Sequence, residues 1–236
     1  MKKKVLVAVD DSRHSENALR YAAGLHGTVH EMNHVLFHVE PTISQYLLDE
    51  ARTKPSANAE LQKLMRNSHD AARTMLDRYK ALMVSLGVPE DNVQPMSLPR
   101  KFGVGKDILE YGTALVYDAI VVGRRGISGL TEVFMGSVST NIVDNSQLIP
   151  VWLVDGKGPS NAVMVAVDGS ESSLRAVDHL ASCWAAIPKF RSRFSMSLPG
   201  WVIFAPSTST KKTPRISKRS SNRAARPVST AFLRMP

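Results

Sequence analysis

Ala119-Ile-Val-Val-Gly-Arg-Arg-Gly126, then nine residues, then Gly136-Ser137, is the stretch that decides the fold. Four consecutive apolar residues ending in glycine read as a strand buried on both faces. Glycines behind such a strand, with a helix reopening after them, bring backbone N–H groups up to an anion. Glycine lets the chain approach closely, and a helix N-terminus adds partial positive charge. The spacing therefore predicts a strand–loop–helix unit built to cradle a phosphate, with Gly123, Gly126, Gly136 and Ser137 as its candidates.

Outward from this unit the chain alternates strands and helices. Residues 5–9 and 35–39 are short valine-rich strands. Asp10-Asp11-Ser12 offers cap residues for a helix with Ala18, Leu19, Ala22 and Ala23 inward, ending near Gly24 or Gly27. Residues 41–56 read as a long polar connection, a lid or mobile edge over a site. A long amphipathic helix follows over 57–86, with Leu61, Leu64, Met65, Ala72, Met75, Leu76, Tyr79 and Leu82 as its apolar stripe. A strand near 93–98, a helix near 104–115, the strand 119–122, a helix near 137–145 and a strand over 151–154 complete the pattern. The alternation calls for a doubly wound α/β fold, a parallel sheet with helices on both faces.

The strand–turn–helix start then recurs. Val163-Met-Val-Ala-Val-Asp168-Gly-Ser170, with Ser173, Ala176 and Val177, matches Val5-Leu-Val-Ala-Val-Asp10-Asp-Ser12, Ser15, Ala18 and Leu19 at an offset of 158. A repeat this long is a domain duplication, and it fades after about Ala181. Residues 1–183 carry 19 Lys and Arg against 21 Asp and Glu, a net of −2, whereas 184–236 carry 11 Lys and Arg and no acid. The body has no electrostatic reason to bind nucleic acid, and only the tail could. From Trp184 onward, six prolines and a Ser/Thr/Lys/Arg-rich run predict disorder. The simultaneous loss of pattern and acids is read as a shifted reading frame, ahead of a nucleic-acid arm or a solvated tail. The expected organisation is a complete domain over 1–157, a truncated second copy over 158–183 without partner strands, and a basic tail over 184–236.

A single cysteine, Cys183, excludes an internal disulfide and suits a reducing cytoplasm. The apolar run behind Lys2-Lys3-Lys4 stops at Asp10, too short for a signal core, and no run nears the ~18 residues of a membrane span. Gly103-Val-Gly105-Lys106-Asp107 lacks the first glycine and the final Ser/Thr of a P-loop and reads as a helix start. His26, His30, His34 and His38 recur every fourth residue, but glycine and strand residues between them break any helical alignment, so no metal site is expected.

The opening Val-Ala-Val-Asp-x-Ser, the Ile120-Val-Val-Gly123 strand end, the Gly-x2-Gly-x9-Gly-Ser spacing and Pro150-Val151 together resemble the universal stress protein (UspA) family over residues 3–155, with 162–182 as the start of a second copy. The resemblance implies a five-stranded, adenine-nucleotide α-hydrolase-like sheet in the order 3-2-1-4-5, with ATP, alone or with Mg2+, at the ends of strands one and four. Val9, Asp10 and Val39 would frame adenine and ribose. Gly123, Arg125 and Gly126 would run along the nucleotide, and Gly136, Ser137, Val138 and Ser139 would hold the phosphates. It further implies a regulatory stress role, no catalytic residue beyond slow ATPase or autophosphorylation at Ser137 or Ser139, and a homodimer through the edge strand 151–154. Arg124-Arg125 departs from the family's usual loop, and two guanidiniums there would favour a triphosphate. The alternative is an ATP-using enzyme of the related adenine-binding α/β group, such as a pyrophosphatase-type ligase. That chemistry wants a Ser-Gly-Gly-x-Asp-Ser loop after strand one, where this chain has Asp10-Asp-Ser-Arg-His-Ser.

Overall fold

A computed structural model describes residues 3–26, 32–124, 135–156, 162–184, 191–198, 201–206 and 215–218. Five parallel strands form the first sheet: β1 (Lys3–Ala8), β2 (Met32–Glu40), β3 (Val93–Pro99), β4 (Ala119–Gly123) and β5 (Val151–Val154). Their order is β3-β2-β1-β4-β5, as the resemblance implies. Val5 pairs with His34 on one side and Ala119 on the other.

Helices cover both faces, which explains the continuous apolar strands. Val5, Val7 and Val9 join a layer with α1 (Arg13–His26) and α3 (Pro55–Ser85), through Leu19, Ala22, Met75 and Tyr79. Leu6 and Ala8 point the other way, toward Ile108 of α4 (Val104–Ala114) and Ile142 of α5 (Ser137–Asn145). Each fully buried large apolar side chain, such as Leu19 or Phe37, contributes about 1.5–3 kcal/mol. Gly87, at φ +93°, takes the left-handed turn that follows α3.

Several expectations are corrected. The connection over 41–56 holds a helix, α2 (Gln45–Thr53), whose N-cap Ser44 accepts the Leu47 N–H at 3.3 Å. Leu64 and Met65, expected in the core stripe, are each 44% exposed, although Leu61 on the same stretch of α3 is buried. The stretch expected to be disordered contains strands β7 (Arg191–Leu198), β8 (Trp201–Pro206) and β9 (Arg215–Lys218).

The repeat forms β6 (Ala162–Val167) and α6 (Glu171–Trp184). β6 has a partner after all, pairing parallel with β7 in a second sheet ordered β6-β7-β8-β9. The sequence reason is local: Arg-Ser-Arg-Phe-Ser-Met-Ser-Leu198 alternates apolar and polar residues, and Trp201-Val-Ile-Phe204 is β-branched and aromatic. Val163, Val165 and Val167 extend the first domain's α1/α3 layer. Among the described residues no helix is long and apolar enough to cross a membrane.

Candidate functional site

The chain winds from β1 to β2 and β3 on one side and reaches β4 and β5 on the other. The strand order therefore reverses between β1 and β4, and their carboxyl ends open a crevice where α/β sheets take ligands.

On the β1 side, the Val9 N–H donates to the Phe37 carbonyl at 2.9 Å and ends the ladder. Asp10 follows in a dense local network. Its N–H donates to Ser15 Oγ at 2.9 Å, and Ser15 Oγ donates to Asp10 Oδ1 at 2.6 Å. Tyr79 Oη donates to the Asp10 carbonyl at 2.9 Å from α3, and the His38 ring Nδ1 lies 2.9 Å from the Val9 carbonyl. Because that carbonyl only accepts, His38 Nδ1 carries the proton in this contact. Ser12 caps α1, its Oγ accepting the Ser15 N–H at 3.2 Å. Asp11 pairs with Arg78, which tethers the same turn to α3.

On the β4 side, Gly123 lies against the start of α1. A Cβ there would sit 2.6 Å from the His14 carbonyl oxygen, so this glycine permits the strand end and the helix start to touch. The Gly123 carbonyl accepts from Ser139 Oγ at 2.7 Å, which fastens α5 to β4. The Arg124 N–H donates to the Val154 carbonyl at 2.8 Å, and the Arg124 carbonyl accepts the Gly136 N–H at 2.9 Å. The Arg124 guanidinium is paired with Asp155, which spends part of the loop's positive charge. Gly136 is the N-cap of α5 in extended conformation, without a side-chain cap bond. The first N–H groups of a helix have no intrahelical partner, so this end presents donors.

The structure thus brings Val9, Asp10, Gly123, Gly136, Ser137, Val138 and Ser139 to the strand ends around one crevice. Ser137 and Val138 are exposed, whereas Ser139 is buried and its hydroxyl is committed to Gly123. Val39 lies on the neighbouring strand, but its side chain joins the α4/α5 layer, opposite Val9's. Arg125, Gly126 and His30 lie outside the described residues. Sequence reasoning missed Ser15, His38 and Tyr79. The recurrence of Ser12-x-x-Ser15 as Ser170-x-x-Ser173 was an available signal for the first, while His38 and Tyr79 act through contacts no local pattern displays.

Two further features bear on chemistry. Asp107 accepts the N–H groups of Lys101 and Phe102 at 2.9 and 3.0 Å, so the P-loop-like run is a helix start, as expected. Among the described residues no group of three His, Cys, Asp or Glu side chains could hold a metal ion.

A family model described as the universal stress protein family matches residues 1–155. A universal stress protein of Synechocystis sp. is 28% identical over 144 residues, covering 61% of this chain and 92% of that protein. Among solved structures, a universal stress protein from Archaeoglobus fulgidus DSM 4304 matches with a TM-score of 0.56 at 18% identity, over 75% of this chain and 60% of that one. UspA from Lactobacillus plantarum matches with a TM-score of 0.51 at 18% identity, over 65% and 97%. At these identities the structural likeness is one of fold.

Proposed function

Since this chain belongs to the universal stress protein family, we propose that its first domain is an adenine-nucleotide-binding module that takes ATP in the β1/β4 crevice and acts as a regulatory protein of the stress response. The observation that carries this reading is the meeting of opposite chemistries around one crevice. An ordered carboxylate, Asp10, stands at the end of β1, and the donor-rich start of α5 stands behind β4. A carboxylate accepts from ribose hydroxyls, having about four lone-pair positions to offer. Helix N–H groups donate to phosphate oxygens.

The residues divide accordingly. Asp10 takes the ribose, and the backbone of Val9 and Val39 frames the base. The N–H groups of Ser137, Val138 and Ser139 take the phosphates, with the Ser137 hydroxyl beside them. Ser139's own hydroxyl holds the turn rather than the ligand, so Ser137 is the residue offered for slow self-modification. Arg125 and Gly126 complete the loop side. The regulatory reading is supported by the chemistry of the named groups, which suits holding a nucleotide: a carboxylate for the ribose and helix N–H groups for the phosphates.

The test is titration calorimetry with ATP on the purified protein, with Gly136→Val as the site variant. Gly136 has φ −63° and ψ 150°, which valine adopts, so the change crowds the phosphate end without backbone strain. Gly123→Val is unsuitable, because its side chain would run into the His14 backbone and report folding. Affinity lost by about tenfold or more in Gly136→Val supports the reading. Wild-type protein that neither carries nucleotide nor binds added ATP overturns it.

A further inference from the structure

Val9 and Asp10 stand where β1 leaves the sheet. The Val9 N–H makes a ladder bond to the Phe37 carbonyl at the end of β1. The carbonyls of both residues accept a side-chain donor from a distant element: Val9 from His38 of β2 and Asp10 from Tyr79 of α3, 69 positions away, each at 2.9 Å. Resting on the nucleotide reading above, we propose that Tyr79 and His38 are positioning residues that aim Asp10 and Val9 at the bound nucleoside.

Buried carbonyls want partners whatever they do, so satisfaction alone would explain one such bond. Convergence on a single residue argues for more. Asp10 is held at its carbonyl by Tyr79, at its N–H by Ser15 Oγ, and at carboxylate Oδ1 by the same serine at 2.6 Å. Asp11, next along, is paired with Arg78, the neighbour of Tyr79 on α3. Backbone and carboxylate are thereby fixed together, and a carboxylate that must meet two ribose hydroxyls gains most from being fixed. Tyr79 is 3% exposed, and burial pushes its phenol upward, so it remains a donor at neutral pH.

The experiment compares ATP with 2′,3′-dideoxy-ATP by calorimetry in wild type, Tyr79→Phe, His38→Asn and His38→Leu. Phenylalanine keeps the buried ring and removes only the hydroxyl. Asparagine places an amide N–H near the position of Nδ1, and leucine does not. Wild type is expected to prefer ATP. In Tyr79→Phe, ATP binding should weaken by about tenfold while the dideoxy nucleotide weakens far less, so the preference collapses. His38→Asn should bind as wild type does and His38→Leu should not. An unchanged preference in Tyr79→Phe, or equal losses for both nucleotides, overturns the proposal and leaves the nucleotide reading standing. Equal weakening in His38→Asn and His38→Leu overturns His38's part. Wild type that binds neither nucleotide overturns both readings at once. Unfolding midpoints and circular dichroism for each variant separate a lost fold from a lost ligand.

Discussion

His34 is a polar residue placed where only apolar ones are comfortable. It is 1% exposed, flanked by Val5 and Val93 on the adjacent strands, and neither ring nitrogen has a hydrogen-bond partner among the described residues. The His26 ring lies 5.6 Å away. Burial, reinforced by His26, pushes His34 down to about 4, and burial lowers His26 as well. A lowered histidine binds protons more readily in the unfolded chain than in the folded one, so acid favours unfolding. The stability at issue is whole above about pH 6.5 and is lost as pH falls toward about 4, a difference of about 3 kcal/mol from His34. His34→Leu should flatten that part of the profile and lie within about 1.5 kcal/mol of wild type at pH 8. Urea denaturation from pH 4.5 to 8 measures this; a wild-type midpoint that does not move between 6.5 and 4.5 would sink the idea. The fourfold histidine spacing was legible in the sequence and misleading. His26 and His34 meet because the end of α1 lies beside the start of β2, while His38 serves the other end of the sheet at Val9.

Long elements were legible where their pattern reflects a neighbour along the whole length, and misread where it does not. β1, β4 and β5 were readable as uninterrupted apolar runs, and α5 was readable from the glycine before it and the serine that opens it. α2 was missed because a nine-residue helix with no buried residue has little apolar period to show, although Ser44 marked its start. α3 was read as one uniform helix with one stripe. Its second half buries Ala72, Met75, Leu76, Tyr79 and Met83, whereas in the first half Leu61 is buried but Leu64 and Met65 stand half-exposed. Period 3.6 reveals which residues share a face but not whether a sheet lies under it. The two halves should therefore respond differently to truncation. Leu76→Ala should cost about 2–4 kcal/mol, and Leu64→Ala within about 0.5 kcal/mol, both read by urea denaturation. Similar costs at the two sites would mean that the first half of α3 is as tightly packed as the second.

At the scale of the whole molecule, the duplication at offset 158 was plain in the sequence, but its fate was not. In the first copy Leu6 and Ala8 are buried beneath α4 and α5, whereas their counterparts Met164 and Ala166 are exposed, Met164 by 59%. The second copy keeps only the other face, and with it docks on the first domain. There Trp152 Nε1 of β5 donates to His179 Nε2 of α6 at 2.9 Å, beside Cys183 and the Lys3–Asp118 ion pair. An accepting Nε2 must be unprotonated. Burial, with Lys3 adding to it and Asp118 opposing, lowers His179 to about 4. The contact is thus complete above about pH 6.5 and weakens as pH falls toward about 4, because a protonated Nε2 faces an indole donor with another donor. The consequence can be isolated. Of the three tryptophans, Trp184 and Trp201 can be replaced by phenylalanine, leaving Trp152 as the reporter, and His34→Leu removes His34's share of the core's acid response. In that background, acidification from pH 7 to 4 should shift Trp152 emission to the red with far-UV dichroism unchanged, and adding His179→Phe should abolish the shift. Emission that stays fixed while His179 is present, or that moves equally in its absence, would show that the repeat's docking does not depend on this proton.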